Sequence, residues 1–259
     1  MSKIALVDGD FIAYRCAASC EPNKSTRPER DPEFVALGRA SDICDRIGDR
    51  VTPTELRIYL GGDRNFRKLL DPSYKANRLS QPRPVHLEAT RDYLVRKWGA
   101  TILTDAYEVD DRLAMEATPN TVICSIDKDL RQIEGNHYNP VKDTFEVVSS
   151  EDAAITLYAS MLIGDSSDNL RGIDGLGPVK AGRLLSGLSP EEAYLKVLGL
   201  YEDAGRDFFH SYRLFRLLRS HEEYLEVMNE IAVRESQGAE ATTDSEGCFS
   251  EAVPCTDTQ

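Results

Sequence analysis

Long apolar runs are missing from this chain. Nothing in its 259 residues approaches the ~20 consecutive apolar positions a membrane span requires, so no membrane partner is expected. The start, MSKIALVDGD, has neither the apolar core nor the cleavage site of a secretory signal, so a cytoplasmic protein is expected. Cysteine is sparse: six residues and no CxxC pair. A disulfide framework or zinc site is therefore not expected, and Cys16 and Cys20, spaced as helix neighbours, read as buried free thiols. Histidine is scarce as well, and His86, His137, His210 and His221 are scattered, which suits surface or core positions rather than a ligand set. The last stretch, Glu235 to Gln259, has no Lys or Arg and few large apolar residues, and is expected to be a disordered acidic tail.

What is present is acid. The formal charge is −13, which at first argues against a nucleic-acid partner. Its distribution reverses that. Without the six acids of the tail the chain stands at −7, and setting aside nine carboxylates that read as one metal site leaves +2. Residues 64–97 carry nine Lys and Arg against three Asp and Glu. A hydrophobic content of 41% is enough for a packed core.

Strand-like runs alternate with helical spacing through the first half: IALV (4–7), ELRIYL (55–60), ATIL (100–103) and TVICSI (121–126), with helices at 84–99 and 108–117 between them. HYNPVKDTFEVV reads as a small hairpin. Such alternation predicts an α/β fold with a mainly parallel central sheet and flanking helices. From Glu151 the texture is helical, with a capping box and Pro at the first helical position in Ser189-Pro190-Glu191-Glu192. The expected division is an α/β domain over 1–150, a helical subdomain over 151–234 and the tail over 235–259.

In open α/β sheets the site lies beyond the carboxyl ends of the strands. Each expected strand delivers acid there: Asp8 after the first, Asp63 after the second, Glu108, Asp110 and Asp111 after the third, Asp127 and Asp129 after the fourth. Any one of them could be a helix cap or first-turn residue. Seven together would repel unless cations were bound. Asp165 and Asp168 add two more from the helical half. Hard oxygen ligands suit Mg²⁺ or Mn²⁺, and two such ions on a carboxylate cluster suit phosphodiester hydrolysis.

Directly after Asp168 comes GIDGLGPVKAGRLL, which fits a helix–hairpin–helix. Gly172, Gly175 and Gly177 let the backbone turn, Pro178 opens the next helix, and free N–H groups with Lys180 beside them would grip phosphate without reading bases. FRKLLDPSYKANR (66–78) supplies Lys75 and Arg78 as further phosphate contacts, and Tyr74 as either a packed ring or a stacking face for a base.

These pieces together carry a resemblance. ALVDGD (5–10), GGDRNFRKLLDPSYKANR (61–78), YEVDD (107–111), CSIDKDL (124–130) and GDSSDNLRGIDGLGPVKA (164–181), in that order, resemble the 5′ nuclease (flap endonuclease) superfamily, most closely its phage-type 5′→3′ exonucleases. The likeness spans most of residues 4–185. It implies a metal-dependent, PIN-like nuclease acting on DNA at 5′ ends, nicks or flaps, in a host-cell cytoplasm if phage-encoded. It implies Asp8, Asp63, Glu108, Asp110 and Asp111 toward one Mg²⁺, and Asp127, Asp129, Asp165 and Asp168 toward another. It implies Lys75 and Arg78 on the scissile phosphate, and K⁺ at the hairpin. Removal of RNA primers from RNA–DNA hybrids in replication and recombination is implied by the same likeness. The acidic tail is a place for a replication-protein contact or a solvated end.

One departure stands out. Relatives with a full helical arch carry a longer insertion between the YKxNR and EVDD elements. Here SQPRP should resist an arch helix, which favours exonuclease trimming over threading of a long 5′ flap. The alternatives are a flap endonuclease, a non-catalytic DNA-binding protein using only the hairpin, a small-molecule phosphohydrolase and a compact single-strand ribonuclease. VDGDF lacks the Thr of the aspartyl-phosphate pattern, with Ile at position 12. The hairpin would be idle in a phosphohydrolase, and with the GDxxDN element it argues against the ribonuclease.

Overall fold

The computed structural model describes residues 3–23, 25 and 27–246. Strand β1 (Ile4–Asp8) leads into α1 (Gly9–Ala18), then α2 (Glu33–Val51), β2 (Glu55–Leu60), α3 (Phe66–Leu70), α4 (Leu87–Trp98), β3 (Thr101–Ile102), α5 (Val109–Glu116) and β4 (Thr121–Cys124). A hairpin of β5 (Gly135–Asn139) and β6 (Thr144–Val148) follows. The helical half holds α6 (Ser150–Ile163), the two-residue strands β7 (Gly164–Asp165) and β8 (Leu170–Arg171), α7 (Pro178–Leu185), α8 (Pro190–Asp203), α9 (Phe208–Phe215) and α10 (His221–Glu246).

Six strands form one sheet in the order β3-β2-β1-β4-β5-β6. All neighbours are parallel except β5 and β6. The α/β expectation holds, with the expected small hairpin joining the sheet as its last two strands. Alternation along β1 sends Ala5 and Val7 into a core beneath α1, α2 and α4, and Leu6 into a second core beneath α5 and α10. Both faces of β1 are covered, which is why IALV reads as an unbroken apolar run. Chain order reverses direction at β1, between β2 and β4, so a crevice opens at the carboxyl ends of β1 and β4. Gly9 starts α1 directly against β2: a Cβ there would lie 2.6 Å from the Tyr59 carbonyl oxygen.

A third core gathers α6, α7, α8 and α9. Ser189 and Glu192 form the expected capping box at the start of α8. Helix α10 continues past the expected boundary at Arg234 to Glu246, while the rest of the acidic tail, 247–259, lies outside the described residues. The four described cysteines, Cys16, Cys20, Cys44 and Cys124, are free and buried, as expected. No described helix is long and apolar enough to cross a membrane. Residues 79–86, between the YKANR element and α4, contain no helix.

Candidate active site

A cleft of about 640 Å³ lies beyond the carboxyl ends of the strands, between the sheet and the helical half. Its lining includes Tyr74, Lys75, Arg78, Glu108, Asp110, Asp127, Asp129, Asp165 and Asp168. Asp8, at the end of β1, is 6% exposed and does not itself line the cleft. Its carboxylate accepts the Phe11 amide at 3.1 Å, capping α1, and the Ser125 hydroxyl at 2.9 Å. The capping reading of Asp8 thus holds, with its second oxygen turned to Ser125.

The acids lean on one another. Burial, then Asp10 and Asp127, push Asp8 up to about 7. Burial, then Asp8, Asp127 and Glu108, hold Asp110 well above the usual carboxylate range. Burial, then Asp127, with Asp165 and Asp168 adding to it, lift Asp129 to about 6 despite Lys128. Asp8, Asp110, Asp127 and Asp129 therefore form an electrostatic cluster with more negative charge than its protein neighbours neutralise.

The other acids have cationic partners. Burial would raise Glu108, but Lys75 and Arg67 outweigh it and hold it at about 2. Its Oε1 accepts from the Lys75 ammonium and its Oε2 from the Tyr74 hydroxyl at 2.7 Å. Asp168 pairs with Arg78 and, at 3.5 Å, with Lys75. Asp165 faces Lys128 at 3.5 Å, though that lysine is 75% exposed and the pair is worth little by itself. Burial would raise Asp165 too, but two bonds from Ser167, through its hydroxyl and its amide, keep it low. Burial acts to lower Lys75, and Glu108 and Asp168 reverse it, so the ammonium stays charged.

As the side chains stand, no three His, Cys, Asp or Glu among the described residues are drawn together tightly enough to ligate an ion. The donor chemistry nonetheless fits a hard divalent cation. It is all oxygen, it clusters at one crevice, and its surplus charge is what a cation would relieve. Asp8, Asp110, Asp127 and Asp129 are the residues that would hold one, with Glu108, Asp165 and Asp168 within the same cleft.

Four expected site residues sit elsewhere or act differently. Asp111 is 0% exposed, and both its oxygens are taken by Arg67, at 2.6 and 2.8 Å, and by the Leu218 and Glu108 amides. It closes a capping box with Glu108 and joins the two halves, so it has no oxygen left to offer a metal. Asp63 is exposed in the loop after β2 and does not line the cleft. Tyr74 is 3% exposed, so its face cannot stack on a base; its hydroxyl bridges Glu108 and Asp168, at 2.7 and 3.1 Å. Gly172 is buried against α6, where a Cβ would collide with the Ile163 and Gly164 backbone. It is needed for close packing, not for phosphate contact. Gly175, with φ +78, Gly177 at the cap of α7, and Lys180 are all exposed.

Sequence reasoning missed Arg67, Ser125 and Lys128. The E-x-x-D spacing of Glu108 and Asp111 was a visible capping signal. Nothing local marked Arg67, whose partners lie 41 to 149 residues away.

Residues 3–158 match the family model described as 5′-3′ exonuclease, N-terminal resolvase-like domain. DNA polymerase I of Rhizobium leguminosarum is 30% identical over 214 residues, covering 70% of this chain and 20% of the polymerase. The chain thus corresponds to about a fifth of that relative. Flap endonuclease Xni of Shewanella baltica strain OS223 is 27% identical over 205 residues, covering 71% of this chain and 74% of that protein. Among solved structures, bacteriophage T5 5′-exonuclease with bound zinc superposes with a TM-score of 0.61 at 15% identity, over 84% of this chain and 90% of that one. A T5 flap endonuclease pseudo-enzyme–product complex with DNA and metal ions gives 0.57 at 16%, over 83% and 89%. The likeness to both is one of fold.

Proposed function

This chain belongs to the 5′-3′ exonuclease family, and from that premise we propose that it hydrolyses phosphodiester bonds at 5′ ends of DNA, with divalent metal ions. The observation that carries the reading is the crevice itself. Asp8, Asp110, Asp127 and Asp129 press on one another at this crevice, and Lys75 and Arg78 line it beside Glu108 and Asp168. Bound Mg²⁺, or Mn²⁺ in its place, would supply an activated water and neutralise charge on the attacking and leaving oxygens. The protein's own part is to place cations. Lys75 and Arg78 can exchange their carboxylate partners for the oxygens of the scissile phosphate, Arg78 in bidentate fashion. The product would carry a 5′-phosphate.

Exposed Gly175, Gly177 and Lys180, with the open N-terminus of α7, support a helix–hairpin–helix grip on duplex backbone, with K⁺ as a further occupant of that turn. The helix-free connection over 79–86 favours trimming of 5′ ends over threading of long flaps. RNA–DNA hybrids at primers remain a substrate proposal of the same kind.

The test is cleavage of 5′-labelled blunt, nicked and long-flap duplexes in Mg²⁺ and in EDTA. Release of mononucleotides from blunt and nicked ends in Mg²⁺ alone is the expected result. Removal of a flap in one piece would favour the endonuclease, and no metal-dependent cleavage would favour a DNA-binding protein. In the same assay Lys75→Ala should lower turnover by about 10²–10³ while DNA affinity measured in EDTA changes little. An unchanged rate would remove Lys75 from the chemistry.

Metal binding should also be visible without cleavage. Mg²⁺ at ~100 times its dissociation constant should raise the melting temperature by roughly 5 °C at pH 8. The rise should be smaller at pH 5, where Asp8 and Asp129 hold protons that the ion must displace. A rise that is equal at both values, measured by differential scanning fluorimetry, would place the ion elsewhere.

A further inference from the structure

Lys75 is held in an unusual backbone state. Four described non-glycine residues have positive φ, and two of them, Lys75 at 56° and Asn169 at 59°, lie on opposite sides of one seam. The seam joins residues 73–78 to residues 166–169. Four hydrogen bonds to backbone carbonyls close it, beside the Tyr74 and Arg78 contacts with the Asp168 carboxylate. The Lys75 amide donates to the Asp168 carbonyl at 2.9 Å, Asn169 Nδ2 to the Ser73 carbonyl at 2.8 Å, Asn77 Nδ2 to the Ser166 carbonyl at 2.8 Å, and Arg78 Nε to the Ser167 carbonyl at 3.0 Å. Lys75 is thus pinned from both flanks, by Asn169 just before it and by Asn77 just after it.

Left-handed backbone is uncommon for a long side chain and persists only where neighbours enforce it. Released from the seam, residue 75 would relax toward ordinary φ, and its ammonium would swing away from Glu108 and Asp168. Asparagine suits both pins. Its Nδ2 donates to a carbonyl, which an aspartate could not do, and at position 169 it tolerates the left-handed state itself. Neither Asn77 nor Asn169 lines the cleft, whereas Lys75, Arg78, Ser166, Ser167 and Asp168 do.

We propose that Asn77 and Asn169 are positioning residues, two carboxamide pins that hold the Lys75 ammonium beside Glu108 and Asp168 without touching substrate. The inference rests on the hydrolytic reading above and names a cause within it.

The test uses the full chain with Asn77→Ala, Asn169→Gly and the pair combined. Glycine at 169 keeps the left-handed backbone and removes only the carboxamide. Two quantities are read: amide hydrogen exchange at Lys75, and cleavage of a nicked duplex in Mg²⁺, in wild-type and Lys75→Ala backgrounds. Exchange at Lys75 should quicken about tenfold in each single variant, with β1 amides unchanged. Turnover should fall about tenfold singly and about 100-fold combined, with KM moving less than about threefold. In the Lys75→Ala background the same substitutions should cost less than about twofold, because the residue they position is gone. Unchanged exchange at Lys75, or a full additional loss in the Lys75→Ala background, overturns the inference. If the combined variant does not fold, Asn77→Ala alone, at an exposed position, decides it. A wild-type protein that cleaves nothing overturns the hydrolytic reading and this role together. Wild-type cleavage with full-rate variants overturns only the inference.

Discussion

Arg67→Met will cost the fold about 3–5 kcal/mol, read as a lower midpoint in urea denaturation. All five guanidinium N–H groups have acceptors. Nε donates to the Leu214 carbonyl, Nη1 to Asp111 and Glu108, and Nη2 to Asp111 and the Arg216 carbonyl. The side chain is 2% exposed, yet it stays charged: burial works against it, and Asp111 more than compensates. Methionine would fill much of the volume but leave Asp111 as a buried, unpaired carboxylate, and that is where most of the cost arises. A second change should therefore recover part of it. Arg67→Met with Asp111→Leu removes the stranded charge but leaves the Leu218 and Glu108 amides without their acceptor, so recovery stays incomplete. If the double variant is no more stable than the single one, the stranded charge is not the main cause. The position also matters to the site. Arg67 binds Glu108 and the Leu214 and Arg216 carbonyls at the C-terminal end of α9, so it ties the acid cleft to the helical half.

Asp8→Asn should separate activity from stability in opposite directions. Cleavage should fall by about 10³, because a neutral amide cannot supply the charge that a divalent cation requires. Stability in EDTA should rise by roughly 1–3 kcal/mol at pH 8. Asparagine keeps an oxygen to accept the Phe11 amide, so the cap of α1 survives. What disappears is a buried negative charge beside Asp10 and Asp127. The sign follows from the protons. Asp8 is raised from 3.8 to about 7, so between those values the folded wild type holds a proton that the unfolded chain has released, and wild-type stability declines as pH rises through this window. The gain of Asp8→Asn over wild type should thus be near zero at pH 4, grow through pH 5 to 7 and level off above. A pH-independent gain would assign it to packing instead of charge.

How much of this was legible in the chain differs from residue to residue. IALV was legible as a strand, and its unbroken apolar run is explained by cover on both faces, while the acids after successive strands declared a crevice because parallel strands end on one side. TVICSI was read two residues too long: the strand stops at Cys124, and Ser125 turns its hydroxyl to Asp8 instead. ATIL paired over only Thr101–Ile102, at the sheet's edge, where one neighbour rather than two sets the length. Tyr74 was readable as aromatic and near the site, but the partners of its hydroxyl, Glu108 and Asp168, lie 34 and 94 residues away in sequence.

The chain alone determined the periodicities, the turn glycines and the order in which acids follow strands, since each depends on neighbours a few residues apart. That was enough for the α/β class and for a carboxylate-lined crevice. Only the tertiary structure decided which acids are metal candidates and which are structural. Asp110 and Asp111 are adjacent on one helix, but a helix turns about 100° per residue, so they face different surroundings. Asp110 meets other carboxylates, and Asp111 meets Arg67. The partner that makes this difference is 44 residues away, beyond the reach of any local pattern.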